Sequence, residues 1–299
     1  MGRNDISRYS MVRFRLMDLC CLSYMTILGL LLPFFHYQVP SWPQNFVMHI
    51  IFIFGGLEII RLGEMRPQNR FLRALRTFYP VIFILYGWDE LNDMVRMFFG
   101  SFWMTDILID LDEKIFGVHP TVWMQQYYSP WLDELMSFLY SGYYLMIPLA
   151  TLPLYLRGKH KETMAVFSIG TLAYFANFAL FYIMPSVCPR SIPLMDSLHS
   201  VDYTGYLFAS LIRFLQQGGS VLGGCFPSSH VTASFVWAFA TWRYNRKLGY
   251  LLLPLAFGVA ISAVYLRYHH AVDPLSGLVL AIIVYFIAIE ILRKRRELD

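Results

Sequence analysis

Long apolar runs separated by short polar connections extend through most of this sequence. Each run has roughly 20 residues, the length that an α-helix needs to cross the hydrocarbon of a bilayer. Hydropathy places the runs at 15–36, 43–61, 77–99, 131–155, 163–184, 226–243, 248–267 and 271–292. The run 77–99 differs from the others because it contains Asp89, Glu90 and Asp93. The pattern predicts an all-α fold, a polytopic transmembrane helical bundle of about six to eight spans.

One long connection, 101–130, is amphipathic rather than uniformly apolar. Trp103, Trp123 and Tyr127 are interspersed there with acidic residues. Because tryptophan and tyrosine rings favour the membrane–water interface, we expect this segment to lie flat in it. It either borders the path by which a lipid headgroup reaches a site, or it packs around the helices without contacting a substrate. We therefore divide the chain into N-terminal transmembrane helices (1–100) and a membrane domain (101–299) that includes this segment and the polar clusters near 190, 230 and 270.

The composition excludes a water-soluble domain. Of 299 residues, 57% are hydrophobic and 15% are charged, and the mean hydropathy is +0.48. The sequence contains no nucleotide-binding loop, zinc pattern or nucleic-acid motif, so we expect the lipid bilayer as a partner and no nucleic acid. A polar, basic segment precedes the first run and no small-residue cleavage site follows it, so we expect that run to be a retained anchor.

Basic residues accumulate in every second connection along the chain. These residues are Arg3, Arg8, Arg13 and Arg15, then Arg61, Arg66, Arg70, Arg73 and Arg76, then Arg157, Lys159 and Lys161, then Arg243, Arg246 and Lys247, and finally Arg293, Lys294, Arg295 and Arg296. Lysine and arginine favour the cytoplasmic side, so eight crossings put both termini in the cytoplasm. The polar clusters near 190, 230 and 270 then fall outside. We expect a multi-pass protein of the plasma (inner) membrane with an extracytoplasmic site.

The last polar cluster contains a histidine and an aspartate four residues apart. At the start of the final helix, His269 and Asp273 would share one face and touch. A carboxylate on one imidazole nitrogen leaves the other nitrogen's lone pair free to attack phosphorus. Alone, the spacing is more typical of a pair that only holds two helix ends together. His270, three residues before Asp273, is the alternative partner.

The middle cluster, Pro227-Ser228-Ser229-His230, opens an apolar run. Serine before such a run is typical of a helix N-cap. A helix start presents free N–H groups and a partial positive charge, which suit a phosphate. His230 in the first turn could donate a proton to the leaving oxygen of an ester. An ordinary capped helix with an interfacial histidine is the alternative.

Two arginines complete the chemistry on the predicted outer side. Arg190 follows the run 163–184, and Arg267 precedes His269 by two residues. A guanidinium binds phosphate oxygens in a bidentate way. A single arginine at this depth could instead extend its head to lipid headgroups, but two beside two histidines favour a phosphate site.

The three clusters resemble the tripartite signature of the type 2 phosphatidic acid phosphatase (PAP2) superfamily, which reads K-x6-R-P, P-S-G-H and S-R-x5-H-x3-D. The matching residues here are Pro189-Arg190, Pro227-Ser228-Ser229-His230 and His269 with Asp273. The resemblance implies a PAP2-like catalytic core acting on a phospholipid or lipid phosphate through a phosphohistidine.

The resemblance also implies roles for individual residues. His269 would be the nucleophile, Asp273 its orienting partner and His230 the acid. Phosphate binding would fall to Arg190, Arg267, Ser228 and Ser229. Because the arginines and a helix start supply positive charge, we expect no metal ion and no cofactor.

The sequence departs from the family pattern at two cations. Ile183 stands where the first motif has lysine, and Arg190 follows its proline instead of preceding it. Ser262-Ala263 stands where the third motif has serine and arginine, so Arg267, about one helical turn later, is the candidate replacement.

Sequence around the motifs is similar to the branch that contains fungal inositol phosphorylceramide synthase. The similar text includes Asp110 to Pro120 and Trp131 to Tyr144, and the similarity covers roughly residues 75–290. It implies transfer to an alcohol acceptor such as inositol, whereas water as the acceptor would give a phosphatase. A multi-span transporter without hydrolytic activity is the alternative from another class, although no internal duplication supports it.

Several residues keep two interpretations. Asp89, Glu90 and Asp93 either bind an acceptor hydroxyl or end a helix at the interface. Tyr140, Tyr143 and Tyr144 fit packing in an aromatic belt better than ligand binding. Cys188 and Cys225 both lie on the predicted outer side, where oxidising conditions permit a disulfide, and a bond between them would clamp the first two motifs together.

Overall fold

The apolar runs form α-helices, which satisfy backbone hydrogen bonds within each segment. The structure, a computed structural model, describes residues 13–298. Its α-helices are α1 (Leu16–Leu31), α2 (Trp42–Met65), α3 (Arg70–Phe78), α4 (Pro80–Asp89), α5 (Leu91–Met94), α6 (Met104–Phe116), α7 (Pro120–Met124), α8 (Pro130–Leu156), α9 (His160–Ile183), α10 (Pro193–Leu198), α11 (Leu207–Gly219), α12 (Ser229–Tyr244), α13 (Arg246–Tyr265) and α14 (Val272–Lys294). No strand occurs within 13–298, so the prediction of an all-α fold is confirmed. The basic residues Arg3 and Arg8 lie outside the described residues.

Six helices of the described chain are long and apolar enough to cross a bilayer. They are α1 with its extension to Phe35, α2, α8, α9, α13 and α14. Helix α12, with 16 residues, is shorter, and it packs against α8, α9, α13 and α14 at the centre of the bundle. Trp237 of α12 is completely buried there against Phe167 of α9. The predicted range of six to eight spans is confirmed.

The predicted span 77–99 is wrong as a single helix. The chain is interrupted between α3 and α4 at Tyr79 and between α4 and α5 at Glu90. Pro80 stands at the first position of α4, where its missing N–H costs nothing. The Glu90 carboxylate is buried and lies 2.7 Å from His49 Nε2 of α2, and Asp93 accepts a hydrogen bond from the Ser41 hydroxyl. These acidic groups therefore make contacts between elements at the end of α4.

The amphipathic segment forms the short helices α6 and α7 instead of a span. Helix α6 buries Met104, Leu108 and Asp112, which are spaced four residues apart and share one face. Ile107 and Ile115 lie on its exposed side. An amphipathic helix of this kind suits a position flat in the interface, and that position stays a prediction.

The two predicted domains share one hydrophobic core. Side chains of α1, such as Met17 and Met25, belong to the same buried cluster as those of α9, α12 and α14. At the end of the bundle where α1 begins, Leu16 N–H donates to Glu297, and Arg76 forms a buried ion pair of 2.6 Å with Asp18. The division at residue 100 stays a prediction.

Candidate active site

The three motif segments meet where α9 ends, α13 ends, and α12 and α14 begin. Ser228 N–H donates to the Asp273 carbonyl at 3.2 Å and so joins the second motif to the third. Arg190 N–H donates to the Arg267 carbonyl at 3.3 Å and joins the first motif to the third. Segments separated by tens of residues in sequence therefore form one site.

His269 and Asp273 form the pair that their spacing predicts. His269 Nδ1 lies 3.2 Å from Asp273 Oδ2, and both side chains are buried. The same carboxylate oxygen accepts from the His270 backbone N–H at 2.9 Å and from the Cys225 thiol at 3.0 Å. With Nδ1 engaged, Nε2 is the nitrogen of His269 that remains available to a substrate.

Burial controls the charge of His269. Burial, together with a smaller effect of the positive charge of Arg190, lowers the pKa of His269 to about 3. An imidazole with this pKa is neutral at pH 7 and keeps a lone pair, which a nucleophile requires.

His230 projects from the first turn of α12 into the same space. Its ring lies between Tyr140 and Tyr143 of α8, with centroid distances of 5.1 and 4.3 Å, and its centroid is 5.7 Å from that of His269. Its Nδ1 has no hydrogen-bond partner among the described residues. The ring is therefore held by aromatic packing while its Nδ1 is free for proton transfer.

The two serines have different surroundings from those expected for phosphate ligands. Ser228 is the N-cap of α12, and its hydroxyl accepts from Val231 N–H at 3.4 Å. Ser228 and Ser229 are both buried, and neither lines the cavity beside His230. The first N–H groups of a helix lack intrahelical acceptors, so at this site the helix start is better suited to a phosphate than the serine hydroxyls are.

Arg190 lies at the cavity wall with its guanidinium held in place. One nitrogen, Nη2, donates to Gln216 Oε1 at 3.0 Å, and the group stacks over Tyr268 at 4.3 Å from the ring centroid. Its remaining donors are available to a bound anion. The predicted position of Arg190 beside the two histidines is observed.

Arg267 does not line this cavity, and its predicted role in phosphate binding stays a prediction. Its backbone has a φ of +65° at the turn after α13. Its Nη2 donates to the Val201 carbonyl at 2.8 Å, and its guanidinium lies 4.1 Å from the centroid of the Tyr203 ring. The side chain instead holds the loop 201–203 against the end of α13.

Cys188 and Cys225 are both free thiols in the structure, and the disulfide between them stays a prediction. The Cys225 thiol points at Asp273, to which it donates. Burial raises the pKa of this thiol and keeps it protonated as a donor. Cys188 lines the cavity beside Arg190.

His270 faces away from the cavity, and His269 rather than His270 directs its ring at Asp273. His270 Nε2 lies 3.3 Å from the Val187 carbonyl, and its Nδ1 lies 3.8 Å from Asp112 of α6. Asp112 was not identified from the sequence as a site residue, because it lies far from every motif along the chain.

A cavity of about 430 Å³ opens beside the polar groups and extends along α4, α8 and α9. Arg190, His230, His269 and Gln216 line one part of it. The apolar part is lined by Val81, Ile84, Leu85, Ile147, Phe178, Leu215 and Val221, among others. Asp89, Glu90 and Asp93 do not line it. An anion and an attached apolar chain could occupy the two parts together.

Tyrosines of α8 and a glutamine of α11 join the site, although sequence reasoning placed the tyrosines in packing roles and overlooked the glutamine. Tyr140, Tyr143 and Tyr144 line the cavity, and Gln216 Nε2 donates to the Tyr140 hydroxyl at 3.3 Å. The only sequence signal for a shared site was the spacing of the tyrosines. Tyr143 and Tyr144 follow Tyr140 by three and four residues, which puts the three rings on one face of α8.

The donor atoms of Cys225, His269 and Asp273 lie within 4.8 Å of one another, a set that could hold a metal ion. All three already bond to one another, and the pairing of His269 with Asp273 serves a metal-free nucleophile equally well. The expectation that no metal is required stays a prediction.

Comparison with known proteins gives a family match to the part of the chain that contains the three motifs. Residues 162–297 match the model described as the PAP2 superfamily. A PA-phosphatase related-family protein of Dictyostelium discoideum is 32% identical over 107 residues, which are 35% of this chain and 19% of that protein.

Two bacterial relatives are also similar. A protein of Escherichia coli (strain K12) provisionally named undecaprenyl-diphosphatase YbjG is 28% identical over 52% of this chain and 71% of its own length. The bacitracin transport permease protein BcrC of Bacillus licheniformis is 32% identical over 30% of this chain and 43% of its own length. No solved structure matches this chain significantly. The match to the PAP2 superfamily therefore covers just under half of the chain and includes Arg190, His230, His269 and Asp273.

Proposed function

We propose that this protein is a membrane-embedded lipid phosphatase or phosphotransferase of the PAP2 superfamily that works through a phosphohistidine at His269. The observation that carries the proposal is the convergence of Arg190, His230 and the His269–Asp273 pair on one cavity with a long apolar extension. The match of residues 162–297 to the family model and the phosphatase names of two relatives support it.

The first half-reaction uses the neutral imidazole. A lipid phosphate enters with its phosphate beside Arg190 and the N–H groups at the start of α12, and its apolar chain extends between α4 and α8. His269 Nε2 attacks phosphorus, and Asp273 stabilises the positive charge that develops on the ring. Burial lowers the pKa of His230 to about 3, so the ring takes up its proton when the negative charge of the bound phosphate offsets that effect. It then donates this proton to the leaving oxygen, and the alcohol departs neutral.

The second half-reaction frees the enzyme. His230, now neutral, accepts a proton from the incoming nucleophile as that nucleophile attacks the phosphohistidine. Water releases phosphate, whereas an alcohol gives a new ester. Transfer to inositol is the finer proposal, supported by the resemblance of 110–144 to the inositol phosphorylceramide synthase branch and by the hydroxyl and amide groups of Tyr144 and Gln216 in the cavity.

We propose that the site faces the extracytoplasmic side of a plasma (inner) membrane with both termini in the cytoplasm. The helix ends opposite the cavity carry basic residues, among them Arg70 at the start of α3, Lys161 in α9 and Lys294 at the end of α14. Such an excess is typical of the cytoplasmic side. Single cysteines placed near 118 and near 158, in a variant without the four native cysteines, should be labelled by an impermeant maleimide from opposite sides.

One experiment tests the chemistry directly. Purified protein in detergent is mixed with ³²P-labelled phosphatidic acid or undecaprenyl diphosphate, quenched with base and analysed for protein-bound label that is stable to base and labile to acid. His269→Ala should abolish the label. His230→Ala should slow its formation because the leaving group is no longer protonated. Absence of label in the wild-type protein with every lipid of the panel would remove the phosphohistidine from the mechanism.

Transport is the second candidate function, because one relative is named a transport permease. Against transport, the polar groups of the cavity gather at helix ends and not near the middle of paired interrupted helices. A transporter would move a lipid or peptide across proteoliposomes without forming covalent label on His269, so the same labelled protein separates the two functions.

A further inference from the structure

Helix α6, on the amphipathic segment, bonds to the start of α14, which carries Asp273. Asp112 Oδ2 accepts from Ala271 N–H at 2.9 Å, and Asp112 Oδ1 accepts from Val272 N–H at 3.0 Å. The N-cap of α14 is Ala271, whose side chain has no acceptor. Asp112 therefore caps α14 from another helix and satisfies two N–H groups that a helix start leaves without partners.

This cap lies next to the pair that holds the nucleophile. Asp273 directly follows the second capped residue, and its carboxylate binds both the His269 ring and the His270 N–H. A shift of α14 by a fraction of an ångström would change the distance of 3.2 Å between His269 Nδ1 and Asp273 Oδ2. Catalytic groups lose much of their effect when they are displaced by about 1 Å.

The first turn of α6 also holds the segment that leads to Arg190. Met104 N–H donates to the Pro185 carbonyl at 3.3 Å, and the Thr105 hydroxyl accepts from Val187 N–H at 3.0 Å. The His270 ring lies between the segment before Arg190 and helix α6. Its Nε2 is 3.3 Å from the Val187 carbonyl, and its Nδ1 is 3.8 Å from Asp112. Helix α6 thus bonds both to the segment before Arg190 and to the start of α14, which carries Asp273.

Apolar packing fixes the side of α6 that carries Asp112. Met104 and Leu108 form a buried cluster with Val272 of α14, and Met184 and Phe226 pack against it. Asp112 as a residue is only 2% exposed and does not line the cavity. It cannot touch the substrate, so any effect on turnover passes through the groups that it holds.

We propose that Asp112 is a positioning residue for the reaction, which sets the place of the His269–Asp273 pair by capping α14 from helix α6. The inference rests on the proposed function. The hydrogen bonds of α6 to the segment before Arg190 come from Met104 and Thr105 and not from Asp112. Loss of the Asp112 cap therefore lowers the rate of phosphoryl transfer to His269 and leaves substrate affinity nearly unchanged.

The test compares Asp112→Asn, Asp112→Glu and Asp112→Ala with Asp110→Asn, an equal change of charge at an exposed position of the same helix. An asparagine offers one acceptor oxygen, so one of the two bonds is lost, and alanine offers none. We expect kcat for a lipid phosphate to fall about tenfold in Asp112→Asn and about 100-fold in Asp112→Ala, with KM within twofold. Asp112→Glu, which keeps both acceptor oxygens, should recover part of the loss, and Asp110→Asn should behave as wild type.

Thermal unfolding in detergent and single-turnover labelling of His269 accompany the kinetics. A slower labelling rate in a folded Asp112→Asn protein supports the proposal. It is overturned if kcat of Asp112→Asn stays within threefold of that of Asp110→Asn, or if activity falls only in proportion to the folded fraction. If Asp112→Ala does not fold, Asp112→Asn decides. Failure of the wild-type protein to form phosphohistidine would instead refute the proposed function, which separates the two ideas.

Discussion

Replacing Arg190 by alanine should reduce activity much more than replacing Arg267 by alanine. Arg190 is the only cationic side chain among residues 13–298 that lines the cavity, and its guanidinium is held by Gln216 at 3.0 Å and by the Tyr268 ring. Arg267 has the same charge, lies two residues before His269 in sequence and points at Val201 and Tyr203. Comparing the two alanine variants therefore tests which arginine binds the phosphate.

The magnitude follows from the bonds that would be lost. Each hydrogen bond between a guanidinium and a charged phosphate oxygen contributes about 1.5–3 kcal/mol. Two such bonds give about 3–6 kcal/mol, which is about a 10²- to 10⁴-fold loss in kcat/KM at about 1.4 kcal/mol per tenfold. Arg190→Lys keeps the charge without the planar fork, so its loss should be intermediate. Arg267→Ala loses one hydrogen bond from a charged guanidinium to a backbone carbonyl, about 1.5–3 kcal/mol of stability, and should keep kcat/KM within about fivefold.

The assay measures phosphate released from short-chain phosphatidic acid, or from whichever lipid of the panel is turned over, in mixed micelles at several substrate concentrations. Circular dichroism and thermal unfolding confirm that each variant is folded. The reasoning is refuted if Arg190→Ala retains kcat/KM within threefold of wild type, or if Arg267→Ala loses as much activity as Arg190→Ala does.

Further expected outcomes concern the nucleophile, its protonation, the absence of a metal and the buried ion pair. Asp273→Asn should lower kcat on the order of 10²- to 10⁴-fold while KM changes little, because the imidazolium formed at His269 loses its counter-charge. Steady-state kinetics with a lipid phosphate measures both constants, and an unchanged kcat would contradict this expectation. Burial lowers the pKa of His269 to about 3, so between about pH 6.5 and pH 3 this residue binds a proton in the unfolded state but not in the folded state. The free energy of unfolding should therefore fall between pH 6.5 and 3, by up to about 1.4 kcal/mol per pH unit from this residue. His269→Gln should flatten that slope in thermal unfolding at stepped pH, and an equal slope in both proteins would exclude the effect. Activity should survive incubation with EDTA, and loss of turnover that added Mg²⁺ restores would contradict a metal-free mechanism. Asp18→Asn should destabilise the fold by about 3–5 kcal/mol, because it removes the nearer charged partner of the buried Arg76 guanidinium and leaves only Glu64 at 3.5 Å. A melting temperature equal to that of wild type would show that the pair contributes little.

Local pattern predicted much of this protein because several of its signals are short-range. Apolar run length decides which segments form spanning helices, and the four-residue spacing of His269 and Asp273 put their side chains in contact in the structure as expected. Serine before an apolar run predicted the N-cap at Ser228, and its hydroxyl is indeed the cap of α12. Each of these features depends on residues within one or two helical turns.

Other features required the fold, because they depend on contacts between segments distant in sequence. Proximity to His269 in sequence favoured Arg267 as a phosphate ligand, yet a turn with positive φ directs that side chain to the loop 201–203. The partner of the Cys225 thiol also depends on the fold, which directs that thiol at Asp273. A run of apolar residues predicted one helix at 77–99, yet the pairing of Glu90 with His49 accompanies a break there.

By itself the sequence determined an all-α membrane protein, the start of α12 and the pairing of His269 with Asp273, since hydropathy, capping and helical period act over a few residues. Only the tertiary structure decided that Arg190 lines the cavity, that Tyr140 and Tyr143 hold His230, and that Asp112 caps α14 across 159 residues of chain. The physical reason is that the direction of a side chain at a site depends on packing between helices, and no local propensity encodes that packing.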